Sequence, residues 1–241
     1  MVHEIMNGIY RETNLLNEPA EYLTKREELR LAEIDLMKHI EQVAAMRRRL
    51  PQGAALQDYE FIEGPANLNA GDEPVTNVKL SELFTAAGRP LAIYHLMYGK
   101  KQNKPCPMCT MWIDGYNGVA QHIAQNIDFA IVAAADPKAL RDHARARGWN
   151  NLRLLSASSN TFKYDLGSED SDGGQDSTLS VFTKDADGTV RHFYSVHPRM
   201  APEIKERGLD LLSPMWNLMD LTPRGRGDWY ASLAYGTKAR P

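Results

Sequence analysis

Cys106-Pro107-Met108-Cys109 holds both cysteines of the 241-residue chain, and its surroundings narrow what the chain can become. An apolar run, Leu91 to Tyr98, precedes it. Gly99 to Pro105, a loop with Lys100, Lys101 and Lys104, joins the two. A helix-like segment, Thr110 to Asn126, follows, and then a second apolar run, Ile127 to Ala135. Strand, loop, Cys-x-x-Cys, helix, strand is the layout of a dithiol redox site. Both sulfurs fall within one helical turn and can reach each other. The N–H groups and partial positive charge of a helix start favour a thiolate on the first cysteine. Pro107 suits the first turn, where its missing N–H is no loss. The three lysines are expected to add positive potential nearby.

Composition bounds the setting. At 43% hydrophobic and 24% charged, the chain is ordinary for a soluble globular protein and long enough for a sizeable core. A formal charge of −3 argues against nucleic acid as a partner. No apolar run is long enough to span a bilayer, and Met1 to Ala20 lacks a signal pattern. A cytoplasmic location is therefore expected, with no membrane partner. In that reducing setting a close cysteine pair is more often catalytic or metal-binding than structural.

Taken in order, residues 1–22 read as an irregular lead-in. Thr24-Lys-Arg-Glu27 reads as a capping box, and Leu29, Ala32, Leu36, Ile40, Val43, Met46 and Leu50 recur at helical steps behind it. The spacing predicts a helix over 24–50, roughly 40 Å long at about 1.5 Å per residue. It either packs on its own domain or embraces a second subunit. Short strands are expected at 59–62 and 75–78, a helical turn at 80–84, central strands at 91–98 and 127–135, and a helix from Asp136-Pro137 to Arg147, stopped by Gly148. Ser156 to Asp176, with five acids, reads as a long mobile loop able to meet the basic 100–104 loop as a lid. Residues 178–183 and 189–196 alternate around Asp185-Ala-Asp-Gly188 as an antiparallel hairpin. A helix near 200–207 and a basic, Gly-rich tail end the chain.

A parallel βαβ half followed by an antiparallel hairpin predicts an α/β protein of thioredoxin-like fold, with a mixed central sheet, flanking helices and a long N-terminal helical arm. The expected divisions are 1–52 for lead-in and arm, 53–230 for the thioredoxin-like domain and 231–241 for the tail. The chain resembles a bacterial thioredoxin-like family of unknown function, commonly labelled predicted dithiol-disulfide oxidoreductases. The carriers are Arg47-Arg-Arg-Leu-Pro51, Tyr94-His-Leu-Met-Tyr-Gly99, Cys106-Pro-Met-Cys-Thr-Met-Trp112, Asp114-Gly-Tyr-Asn-Gly118, Leu179-Ser-Val-Phe182 and Asp220-Leu-Thr-Pro223. Tyr59 to Phe84 is also similar to the strand pair and Leu-Ser-x-Leu turn of peroxiredoxins.

Cys106 and Cys109 are the candidate catalytic residues, Cys106 attacking and Cys109 resolving. A zinc site needs more ligands, and His122, thirteen residues past Cys109, would lie roughly 20 Å away along a helix. No metal or cofactor is expected. His95, near the end of the preceding strand, is either a buried core histidine or the proton acceptor for Cys109. Trp112 and Tyr116 read as packing residues or a substrate platform. Asp114 reads as an exposed or capping group or a catalytic acid. Two departures from the resembled folds stand out. Ser177 occupies the place where thioredoxins carry a cis-proline. Asn103 stands three residues before Cys106, where peroxiredoxins carry threonine or serine. The leading expectation is a thiol-disulfide oxidoreductase acting on a disulfide-containing protein or small thiol, homodimeric through its N-terminal helix. The alternatives are a non-catalytic thioredoxin-like binding or assembly module and an atypical thiol peroxidase.

Overall fold

The strand that leads to the cysteines is almost wholly buried, which requires a layer on each of its faces. In the computed structural model, which describes residues 17–201, 214–225, 227 and 230–234, this strand sits inside a seven-stranded sheet. The strands are β1 (Glu60–Glu63), β2 (Thr76–Lys79), β3 (Leu91–Gly99), β4 (Asp128–Ala134), β5 (Arg153–Ser156), β6 (Thr178–Lys184) and β7 (Val190–Val196), in the order β2-β1-β5-β4-β3-β6-β7. β3, β4 and β5 are parallel, while β6, β7, β1 and β2 join antiparallel. The helices are α1 (Ala20–Arg48), α2 (Pro107–Ile123), α3 (Pro137–Arg147), α4 (Phe162–Asp165) and α5 (Pro214–Asp220).

Strand alternation sorts β3 between two cores. Tyr94 and Leu96 join Cys106, Cys109, Trp112, Tyr116 and Trp149 on one face. Leu91 and Ile93 join Phe61, Leu80, Phe162 and Phe182 on the other. α3 follows its sequence signals: the Asp136 side chain accepts from Lys138 N, Pro137 opens the helix, and Gly148 closes it at φ 70° in the left-handed region. Asp114 is neither a free cap nor an acid in a cleft. It pairs with Arg147 and accepts from Trp149 Nε1 at 2.8 Å, locking α2 to the end of α3.

The described residues up to Pro51 and those from Gln52 onward fall into two compact units. In the first, α1 begins a turn earlier than expected, behind Pro19. The capping box does not form. Thr24 Oγ1 donates to Ala20 O inside the helix, and Glu27 pairs with Arg30 instead. Nothing in Ala20-Glu-Tyr-Leu23 opposes helix, so Pro19 supplies the start. No residue of α1 is buried, and Leu29, Leu36, Ile40 and Met46 are exposed.

The segment 156–176 is more structured than the sequence suggests. Phe162, packed edge-on against Tyr59 and Phe61, anchors the short α4. Asp170 Oδ1 accepts from Asp172 N and Gly174 N at 2.9 and 2.7 Å, shaping a turn. Lys100 pairs with Glu169 and Lys101 with Asp172, so acidic and basic loops do meet. The helix expected near 200–207, residues 1–16 and the tail after 234 lie outside the described residues, apart from Met200 and Ala201. No described helix is long and apolar enough to cross a membrane.

Candidate active site

β3 ends at Gly99, whose φ of 108° and close approach to the backbone of Ala134 and Ala135 exclude a side chain. Gly99 and Gln102 exchange backbone hydrogen bonds of 2.7 and 2.9 Å, and this tight turn swings the chain toward the cysteines. Cys106 N then returns to Met97 O at 3.1 Å, fixing the first cysteine beside the strand end. Cys106 is the N-cap of α2, with Pro107 in the first turn. The Cys106 carbonyl accepts from both Thr110 N and Thr110 Oγ1 at 3.0 Å, and Thr110 Oγ1 also meets His143 Nε2 at 3.1 Å. Burial holds the His143 imidazole down to about 4, so it is a neutral partner.

Both cysteines are free thiols and both are largely enclosed, at 8% exposure for Cys106 and 1% for Cys109. Their environments push them apart. The Cys106 sulfur accepts from the Cys109 thiol, from the N–H groups of Cys109 and Met108, and from Tyr230. These donors outweigh burial and bring Cys106 down to about 6. Burial pushes Cys109 up, with Cys106 beside it, although Tyr94 and Met97 N–H donate toward its sulfur. The Tyr94 hydroxyl has no oxygen or nitrogen partner and lies against that sulfur. Tyr116, also without such a partner, is raised by burial and by Cys109. Trp112 and Tyr116 are buried against Tyr94 rather than presented to substrate.

His95 is on the other side of the sheet. It follows Tyr94 by one residue, so it faces the opposite core. There its ring stacks on Phe162 at 5.2 Å and its Nδ1 lies 2.5 Å from Ser168 Oγ. Burial lowers its basicity further. The expectation that His95 takes the Cys109 proton does not fit this placement, because the sheet itself stands between ring and sulfur. Of the three lysines, Lys100 and Lys101 are paired with acids, which reduces the positive potential expected at Cys106.

Three contributors escaped sequence reading. Lys163 is fully buried, and its Nζ donates to Leu96 O at 3.2 Å. Tyr230 reaches Cys106 from the C-terminal segment, where Ala231 enters the same core as the cysteines. His143 sits on α3, and only the Thr110 position, four residues after Cys106, hinted that a side chain would return to the cysteine carbonyl. Among the described residues no group of three His, Cys, Asp or Glu side chains is placed to hold a metal ion. A cleft of about 720 Å³ lined by Glu63, Pro65, Arg141 and Leu154 includes neither cysteine.

A parallel strand pair, an antiparallel hairpin beside it and a dithiol opening the helix after the central strand define a thioredoxin-like fold, here with a long N-terminal helix. The chain belongs to a bacterial protein family of unknown function, DUF899, whose model matches residues 11–238. No curated protein matches the sequence. Among solved structures it is similar to AhpC of Mycobacterium tuberculosis, with 14% identity over 68% of this chain and 89% of that one and a TM-score of 0.46. Peroxidoxin BcpB of the same organism gives 16% identity, 62% and 86% coverage and a TM-score of 0.43. Peroxiredoxin Q of Xanthomonas campestris gives 15%, 61% and 85%, and 0.44.

Proposed function

We propose that the protein is a thiol-disulfide oxidoreductase in which Cys106 attacks and Cys109 resolves. The observation that carries this reading is the asymmetry of the pair: donors converge on the Cys106 sulfur at the helix start, while Cys109 is buried behind it. In the cycle, the Cys106 thiolate attacks one sulfur of a substrate disulfide. A new S–S bond forms, the substrate S–S bond breaks, and the departing sulfur leaves as a thiolate that takes a proton. Cys109 then gives its proton to water and, as thiolate, attacks the Cys106 sulfur. The Cys106–Cys109 bond forms, the mixed S–S bond breaks, and the second substrate sulfur leaves as a thiolate that takes a proton. Two electrons have passed to the substrate, and an external dithiol or thiol reductant restores the pair.

The substrate class is a disulfide-bearing protein or a small disulfide, and a reducing compartment such as the cytoplasm fits a cycle that starts from free thiols. We infer too that α1 pairs with α1 of a second copy, because its row of leucine, isoleucine and methionine side chains is exposed in a single chain.

Mass spectrometry of two variants after challenge with an oxidised thiol tests the chemistry. Cys109→Ser is expected to trap an adduct on Cys106, and Cys106→Ser to abolish turnover. An adduct on Cys109 would reverse the roles. If neither cysteine reacts and the wild type forms no internal disulfide, the oxidoreductase reading falls and a binding or assembly module takes its place. Peroxide consumption without disulfide reduction would favour the peroxidase.

A further inference from the structure

A buried lysine with no carboxylate in hydrogen-bond contact is costly, since an ammonium removed from water loses its hydration. Lys163 is such a group, 1% exposed at the start of α4, with Leu96 O as the acceptor of its Nζ at 3.2 Å. Its location is specific. Leu96 O and Met97 N–H belong to the same peptide unit of β3, and that N–H is the one directed at the Cys109 sulfur. The ammonium therefore holds one end of a peptide dipole whose other end meets the resolving cysteine.

We propose that Lys163 is a positioning residue for Cys109: its charge on the Leu96 carbonyl polarises the Leu96–Met97 peptide and strengthens the N–H bond to the Cys109 thiolate. A cation on the carbonyl oxygen withdraws electron density along the amide, making the N–H a better donor. Hydrogen bonds in series reinforce one another in this way, and a low-dielectric interior preserves the effect. The direct attraction between the two charges acts in the same sense. Cys109 is otherwise penalised by burial, and it must become a thiolate to attack Cys106. Lys163 eases that step without touching substrate or taking part in bond making.

The other charged and titratable groups facing this pair are few. Around Cys109 they are the Cys106 sulfur and the hydroxyls of Tyr94 and Tyr116. Around Lys163 they are Glu169, Asp176, Lys100 and His95. Glu169 and Asp176 help keep the lysine protonated, whereas burial draws it down to about 8. Near neutral pH the ammonium form therefore prevails.

The role in resolution rests on the dithiol cycle proposed above; the coupling itself does not. In Cys106→Ser protein Cys109 is the remaining thiol, and the rate of its alkylation at pH 7, where Lys163 is charged, reads its thiolate population. Adding Lys163→Met or Lys163→Gln should slow that alkylation about tenfold, a tenfold loss of thiolate. Lys163→Gln keeps a donor but loses the charge, and Lys163→Arg, which keeps the charge, should hold the rate. Equal rates in all four proteins would overturn the proposal.

Should the neutral variants fail to fold, the Lys163 Cε resonance in the Cys106→Ser protein supplies the second measurement. It should show a step coincident with Cys109 ionisation that disappears when Cys109 is also replaced by Ser. A titration indifferent to Cys109 would equally overturn the coupling. Neither readout needs turnover. A wild type that forms no internal disulfide, with the coupling intact, sinks the oxidoreductase reading alone. An active enzyme without the coupling sinks this inference alone.

Discussion

Cys106 owes its acidity to donors rather than to lysines. The Cys109 thiol is the largest contributor, ahead of two backbone N–H groups and Tyr230. Alkylation of reduced protein should therefore follow a sigmoid in pH centred near 6, against about 8.5 for an ordinary thiol. Cys109→Ala, which removes the leading donor, should move that midpoint upward. A midpoint left at the ordinary thiol value in the wild type would contradict the donor geometry. The same asymmetry gives a stability profile. A thiol whose folded midpoint is depressed adds stability that is fully present above the unfolded midpoint, near pH 8.5. That contribution is lost as pH falls through about 6. The stability difference between reduced wild type and Cys106→Ser should thus shrink between pH 9 and pH 5.

At the scale of the element, α1 is a helix with no buried residue. Its ion pairs, Lys25 with Glu28, Arg26 with Glu33 and Lys38 with Asp35, lie in solvent, where such pairs contribute little. A 29-residue helix without a buried face has weak intrinsic support, because tertiary packing is what stabilises most protein helices. Pairing of its apolar row with a second copy would supply that packing. Light scattering of the intact chain should give twice the monomer mass, and a chain beginning at Gln52 should give one. Two monomers at micromolar concentration would exclude the pairing. The 156–176 segment carries the opposite lesson. Glu169, Asp170 and Asp172 are spent on a local turn and on Lys100 and Lys101, Asp165 accepts from Tyr59, and Phe162, buried against Tyr59 and Phe61, decides where the segment docks.

Across the whole molecule, long-range polar clamps hold the elements around the dithiol. Arg141 on α3 is buried and donates to Pro65 O, Gly71 O and Asp72 Oδ1 at 2.7, 2.6 and 3.1 Å. It closes the connection between β1 and β2 onto the helix that packs beside β5. Arg141→Met leaves those acceptors without their donor, and a loss of about 3 kcal/mol is expected in urea unfolding. A loss below about 1 kcal/mol would mean that water replaces the guanidinium at little cost. Cys106 alkylation measured on the same variant separates stability from chemistry, because the clamp touches neither cysteine.

What the sequence determined by itself is local. The apolar run before Gly99, the proline inside Cys-x-x-Cys, Asp136-Pro137 with Gly148, and the Asp185–Gly188 turn each act over a few residues, through caps, φ preferences and side-chain period. They were enough to place β3, α2, β4, α3 and the β6–β7 hairpin, and with them the thioredoxin-like fold. The face of β3 on which each side chain lies was decided by packing. Period two says only that Tyr94 and His95 diverge. α2 settled on the Tyr94 side, and His95 lies against Phe162 in the opposite core. The start of α1 differs from the capping pattern for a local reason, since the Thr24 hydroxyl donates back to Ala20 O inside the helix instead of accepting at its end. Lys163 was invisible for a non-local one. It lies 67 residues from the carbonyl it holds, and no pattern near it distinguishes a lysine bound for the interior. Tyr230 is likewise remote from Cys106, and only the folded chain returns it there. Caps and periods are read from neighbours in sequence; charges beneath a thiol are set by neighbours in space, which the chain acquires only once the sheet has closed around them.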